Sequence, residues 1–422
     1  LEMQPKPRHN LKLISPLTLI VILPLLSIPL FTISYTNSAH VSKGPAYTGY
    51  SRFTDPGKFS ILLQETPAQI DRLCDIARQQ SIHHLLVLYD DTFKNRACRS
   101  PQKWSPDVQA LLGFLDKNHH GLIKGDPCTN NKFVSTCINQ AGLLACLLRY
   151  HDIPVRIRVG FLKNIRKDRE CIRKFWRKVS ENRAGLKGMR PPEKKQWIQI
   201  NALITNFQNQ NNHCIEHWIC EYYDTATQKW TLLDAETDFL KHHSNLELEY
   251  RLPPEYFEYS AEAWKKMRKD PQFNVKSYVE DERDGKSHIR SIMLLDFYSL
   301  LNHDLAGWSK TSTSLNHFIR ARKFTDLSPL ELKELDALAA LLARNPATTE
   351  LLDFYVKSKS LRFDEIENDR YSFVCRNNSI TGIHHAKLFA GLLSQAGNLL
   401  KLMPFFYTPH TYYCGLCHTN QI

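Results

Sequence analysis

At 422 residues, with 42% hydrophobic and 23% charged side chains, the chain can bury one large core or two modest ones, which excludes a small scaffold dependent on staples. Eleven cysteines are an odd set scattered from Cys74 to Cys417 without regular spacing, so at least one thiol stays unpaired and no disulfide framework is expected. The net charge of +12 is concentrated: residues 163–196 hold thirteen Lys/Arg against four Asp/Glu.

From Leu13 to Ala39 no residue is charged, and "LISPLTLIVILPLLSIPLFTISY" exceeds the roughly 20 apolar residues that cross a bilayer. A transmembrane anchor is expected over 13–35. Lys6, Arg8 and Lys12 precede it, which places a tail of residues 1–12 in the cytoplasm and the remainder across the membrane, as a single-pass protein. A cleaved signal peptide is the alternative, disfavoured by the length of the run and by the poor cleavage site "TNSAH". Residues 36–50 read as an exposed linker because they lack an apolar period.

Folded sequence is expected from residue 51. "PAQIDRLCDIARQQSIHHLLVLY" carries apolar residues at helical spacing, and "SPDVQALLGFLDKN" predicts a helix capped by Ser105 with Pro106 at its first position. Ser135 or Thr136 can cap a helix from Cys137 to about Tyr150, stopped by Asp152-Ile153-Pro154. "VRIRVGF" then predicts a strand with Val155, Ile157 and Val159 on one face. Next, "NIRKDRECIRKFWRKVSEN" sets Ile165, Ile172, Phe175, Trp176 and Val179 along one side of a helix that is basic on the other. "EHWICEYYD" and "KWTLLDAE" predict a hairpin closed by "DTATQ". The chain is mixed from Leu246 to Trp308 and mainly helical from Asn316 to Leu400. "GIHHAKLFAGLL" weakly echoes "CINQAGLLACLL", with Gly382 in the place of Cys137, an agreement that two amphipathic helices reach by chance.

A cysteine nucleophile needs a lowered pKa, a base and a group that orients the base. Cys137 opens a helix, where the backbone dipole favours thiolate. His217 begins one strand of the hairpin and Asp234 ends the other, so the two ends lie side by side. Cys146, about two and a half turns along the helix in a run of leucines, is expected to be a core thiol. Cys214 and Cys220 flank His217 without metal-site spacing to any partner. No metal or other cofactor is expected.

The cysteine that opens a helix is followed by Leu147-Leu148-Arg149, Ile153-Pro154-Val155-Arg156, Gly160-Phe161, His217-Trp218, Glu221-Tyr222 and Trp230 to Asp234. This succession resembles the transglutaminase-like (papain-like cysteine) superfamily. "FTDPGKFSILLQETPAQIDRLCDIAR", "AEAWKKMRKDPQFNV" and "IRSIMLLDFYSLLNHDLAGW" are similar to blocks of a bacterial transglutaminase-like family, so the likeness covers roughly residues 51–308. It departs in Ile138-Asn139 after the cysteine, in Glu216 before the histidine, and in the length of the stretch after Leu162. It implies an α+β fold, a papain-like or transglutaminase-like core with a central helix on an antiparallel sheet, spanning 51–310 with a basic insertion at 162–212 and followed by a helical C-terminal region, 311–422. It also implies a Cys137–His217–Asp234 triad but no particular substrate; the expected chemistry of that triad is attack on an amide or peptide bond through a thioester, with hydrolysis favoured over transamidation.

The Cys137 backbone N–H is expected to supply one oxyanion donor, with Gln109 and Trp104 as candidates for another. Trp218, Arg156 and Trp176 are candidates for the substrate groove. The basic insertion suits an acidic peptide or protein substrate; its helix is read as a lid over the site, in preference to a helix lying on anionic lipid. Nucleic-acid binding is not expected, because the aromatics fall on the apolar side of that helix. "CGLCH" matches a haem-attachment pattern at Cys414, Cys417 and His418, but no haem-sized domain surrounds it. The alternative function is a membrane-tethered binding or scaffold protein that keeps the fold without turnover.

Overall fold

Helix α5, Cys137–Tyr150, is the element around which the described chain is built. The computed structural model describes residues 46–97, 107–123, 130–163, 169–184, 214–279, 284–303, 318–320, 322–363 and 373. Residues 13–35, Trp104, Ser105, Ile165, Gly382 and the Cys414–His418 motif lie outside them. Among the described residues, no helix is long and apolar enough to cross a membrane.

The expected helix bounds hold at α5. Asn139 Oδ1 accepts from the Thr136 N–H at 3.1 Å and from the Thr136 hydroxyl at 3.2 Å, tying down the first turn. At the other end Asp152 turns left-handed (φ 56°), which Asp tolerates better than most residues, and the Ile153 N–H reaches back to the Leu148 carbonyl at 3.0 Å. Between these stops every residue from Asn139 to Arg149 is buried. A helix covered all round is a core helix, and its four buried leucines contribute about 6–12 kcal/mol as an upper estimate.

A four-stranded antiparallel sheet packs against α5. Its strands are β3 (Val155–Leu162), β4 (Ile215–Asp224), β5 (Lys229–Leu233) and β6 (Phe257–Tyr259), in the order β5-β4-β3-β6. The fold is therefore mixed α+β. The sequence predicts one buried face on β3, yet all eight of its residues are buried. Arg156 and Arg158 go inside because buried carboxylates meet them. Gly160 has a steric role: a Cβ there would lie 2.5 Å from the Glu258 carbonyl oxygen and 2.6 Å from the Phe257 ring, so β6 can pair with β3 only where no side chain intervenes.

Three local expectations are corrected. The helical pattern before residue 90 is broken into α1 (Ile70–Gln80), strand β1 (Ser81–His83) and α2 (His84–Tyr89). β1 pairs in parallel with β2 (Phe133–Ser135), and Ser135 donates to the Ser81 hydroxyl at 2.9 Å; tertiary pairing overrides the local period there. Helix α3 (Asp91–Arg96) follows, and α4 (Val108–His119) is capped by Asp107, whose carboxylate accepts from the Gln109 N–H at 2.8 Å, in place of Ser105. The stretch read as linker ends in the core. Tyr47 is 3% exposed, stacks edge-on against Trp230 and Phe373, and donates its hydroxyl to the Leu300 carbonyl at 2.9 Å.

Further α-helices among the described residues are α6 (Arg169–Ala184), α7 (Thr237–Ser244), α8 (Ser260–Lys269), α9 (Gly285–Leu300), α10 (Pro329–Leu342) and α11 (Thr348–Lys357). Leu335, Leu338 and Leu351 share one core with α5 and α9. A second cluster gathers Phe175, Trp176 and Val179 of α6 with Leu86 of α2 and Phe239 and Leu240 of α7.

Candidate active site

The antiparallel hairpin brings His217 and Asp234 together as their strand ends require. His217 Nε2 lies 2.7 Å from Asp234 Oδ2, with both side chains buried. Asp234 is itself fixed: its Oδ1 accepts from the Glu236 N–H at 2.8 Å, closing a short turn before α7. An acceptor on Nε2 sets the imidazole tautomer and leaves Nδ1 for another partner.

Cys137 meets this pair from the start of α5. Its sulfur, a His217 ring nitrogen and a Glu236 carboxylate oxygen all lie within 4.8 Å of one another. The residue keeps part of its surface open, whereas Cys146 is fully buried nine positions on, as expected of a core thiol. The surroundings work against the dipole argument for a thiolate. Burial, then the Glu236 carboxyl, push the Cys137 thiol well above its ordinary value, with Glu216 and Asp234 adding to the rise; a hydrogen bond from the Trp218 backbone opposes them. These surroundings favour the protonated form of the thiol.

Sequence reasoning missed Glu236. It is 2% exposed, with Oε2 3.7 Å from His217 Nδ1 and Oε1 3.5 Å from His83 Nε2. Burial and the neighbouring Asp234 raise its pKa well above the carboxylate range. The available signal was the tripeptide Asp234-Ala235-Glu236: a turn in which the Asp side chain accepts from the N–H two residues on sends the second carboxylate back toward the same histidine. His83 was missed because it sits on β1, inside a pattern that reads as helix. Burial, then the neighbouring His84, hold it well below the ordinary histidine value.

The other candidates fall elsewhere. Arg156 is 1% exposed and bonds Glu221 at 2.6 Å, so it belongs to the sheet interior and not to a groove. Trp218 is 2% exposed on β4, and Trp176 is 4% exposed with its indole N–H on His243 Nε2 at 3.1 Å. Neither is open to a substrate. Gln109 sits on α4 with its amide occupying the space a Cβ at Gly57 would need. The basic helix α6 covers its apolar side with α2 and α7, so it buttresses the wall beside the site, and those aromatics are not available to lipid.

A cleft of about 390 Å³ reaches the site. Gln140, Glu236 and His83 form part of its lining, together with Arg78, Lys132 and Lys241. Cys137 does not line it; Glu236, which does, has a carboxylate oxygen within 4.8 Å of the thiol. Compared with family models, with curated proteins and with solved structures, the chain finds no match in any of the three.

Proposed function

We propose that the chain is a cysteine enzyme of transglutaminase-like type that breaks an amide or peptide bond through a thioester. The observation that carries this reading is the buried histidine held by Asp234 at 2.7 Å with the Cys137 thiol within 4.8 Å of its ring. A central helix that opens with the cysteine and packs on an antiparallel sheet supports a papain-like core.

The Cys137 proton passes to the His217 nitrogen not held by Asp234 as the sulfur attacks the carbonyl carbon. Asp234 stabilises the imidazolium so formed. When the tetrahedral adduct collapses, the C–N bond breaks and His217 returns the proton to the leaving amine. Water then attacks the thioester, His217 takes its proton, and the C–S bond breaks to restore the thiol. In this reading the Cys137 N–H at the start of α5 donates to the oxyanion, an interaction worth roughly 3 kcal/mol in such sites. Tethering through residues 13–35 is part of the proposal and is tested by a topology reporter fused after residue 50.

The raised thiol favours one competing reading, an inactive scaffold that keeps the fold. Iodoacetamide labelling at neutral pH, read peptide by peptide, separates the two. In the enzyme Cys137 reacts at least about 100-fold faster than Cys146, and His217→Ala removes the difference. Equal, slow rates at both thiols would sink the enzyme reading.

A further inference from the structure

We propose that Cys137, His217 and Glu236 form a binding site for a zinc-class divalent cation, which occupies the thiol and holds the protein at rest. The donors are a thiol, an imidazole and a carboxylate, the set that zinc takes in proteins and that magnesium and calcium do not. Their ligand atoms lie within 4.8 Å of one another. Tetrahedral zinc, with bonds of about 2.0–2.3 Å, sets its ligands about 3.5 Å apart, so the three close in by roughly 1 Å.

Two further features point to a ligand. Glu236 Oε1 is buried without a hydrogen-bond partner, and His83 Nε2 stands at the limit of reach, 3.5 Å away. Asp234 already holds the far nitrogen of His217 at 2.7 Å, the outer carboxylate that orients a metal-bound imidazole. Glu236 and His83 also line the cleft, which gives an ion a route in and leaves a fourth position for water. On binding, the thiol proton leaves to solvent and the sulfur lone pair forms the metal bond, so nucleophile and base are blocked together. The blocking role rests on the proposed acyl chemistry; the binding itself does not.

The test uses the full chain, stripped with a chelator and titrated with Zn²⁺, then separately with Co²⁺. About one equivalent of Zn²⁺ should slow iodoacetamide labelling of Cys137 at least about tenfold, whereas Mg²⁺ and Ca²⁺ should not. Glu236→Gln should need at least about tenfold more Zn²⁺ for the same protection. Co²⁺ should give a near-ultraviolet thiolate charge-transfer band that Cys137→Ser abolishes. Equal protection in wild type and Glu236→Gln, or a cobalt band that survives Cys137→Ser, overturns the site. If Glu236→Gln does not fold, the cobalt comparison decides alone. Loss of His217-dependent labelling in the metal-free protein would remove the enzyme reading and leave the cobalt result standing.

Discussion

Four residues apart on β4, His217 and Glu221 anchor two buried polar clusters that are built on opposite electrostatic terms. Around Glu221 the charges close. Arg156 and Arg158 reach its carboxylate at 2.6 and 3.0 Å, Arg158 grips Asp296 through two bonds of 2.9 and 2.7 Å, and the Tyr259 hydroxyl donates to Glu221 at 2.6 Å. Burial alone would raise the Glu221 carboxyl, but the two guanidiniums and the hydroxyl hold it down to about 2. Around His217 the charges do not close: Asp234, Glu236 and Cys137 crowd one imidazole, and the thiol and Glu236 both rise. A closed cluster fixes register. An open one stores unsatisfied capacity, which is where reactive or ligand-binding chemistry belongs.

The sharpest way to break this contrast is to injure each cluster and ask what fails. Asp234→Asn in the open cluster should lower the labelling rate of Cys137 about 100-fold or more while leaving the melting temperature within a few degrees. Glu221→Gln in the closed one should do the reverse. Buried Arg156 loses its anion and Arg158 keeps only Asp296, stability falls by about 3–5 kcal/mol, and calorimetry should show a melting temperature roughly 10 °C lower with labelling intact below the transition.

The same carboxylate predicts an acid response. Because folding lowers Glu221 from 4.5 to about 2, its contribution is full above pH 4.5 and is lost as pH falls toward 2. Urea midpoints measured down that range should drop in the wild type by the equivalent of about 3 kcal/mol, and the drop should be shallower in Glu221→Gln. Gly160→Ala tests the sheet between the clusters: with a carbonyl oxygen 2.5 Å from the new methyl, it should cost about 1–3 kcal/mol in denaturant titrations. The smallest effect belongs to Trp176→Phe, which loses the bond to His243 and should cost about 1 kcal/mol without changing Cys137 labelling. A slower Cys137 in that variant would tie α6 to the site after all.

Much of the open cluster was legible because its members carry local signatures. Cys137 sits between a capping pair and an apolar run, and His217 and Asp234 occupy the paired ends of a hairpin whose turn is written in "DTATQ". Arg156 and Arg158 misled, since alternation along a strand says which residues share a face but not what waits on the other side. Asp296 waits there from α9, 138 residues away from Arg158. His83 was hidden for the same reason: three residues left the helical period to pair with β2, 52 positions downstream in register.

The sequence by itself determined the elements and the one short-range alignment that sets Asp234 on His217, because helix caps, turns and hairpins are decided by neighbours. Only the tertiary structure decided the surroundings of the thiol. Helix position argues for a thiolate, but protonation follows from every charge within a few ångströms, and Glu236 and Glu216 arrive beside Cys137 by packing, not by spacing.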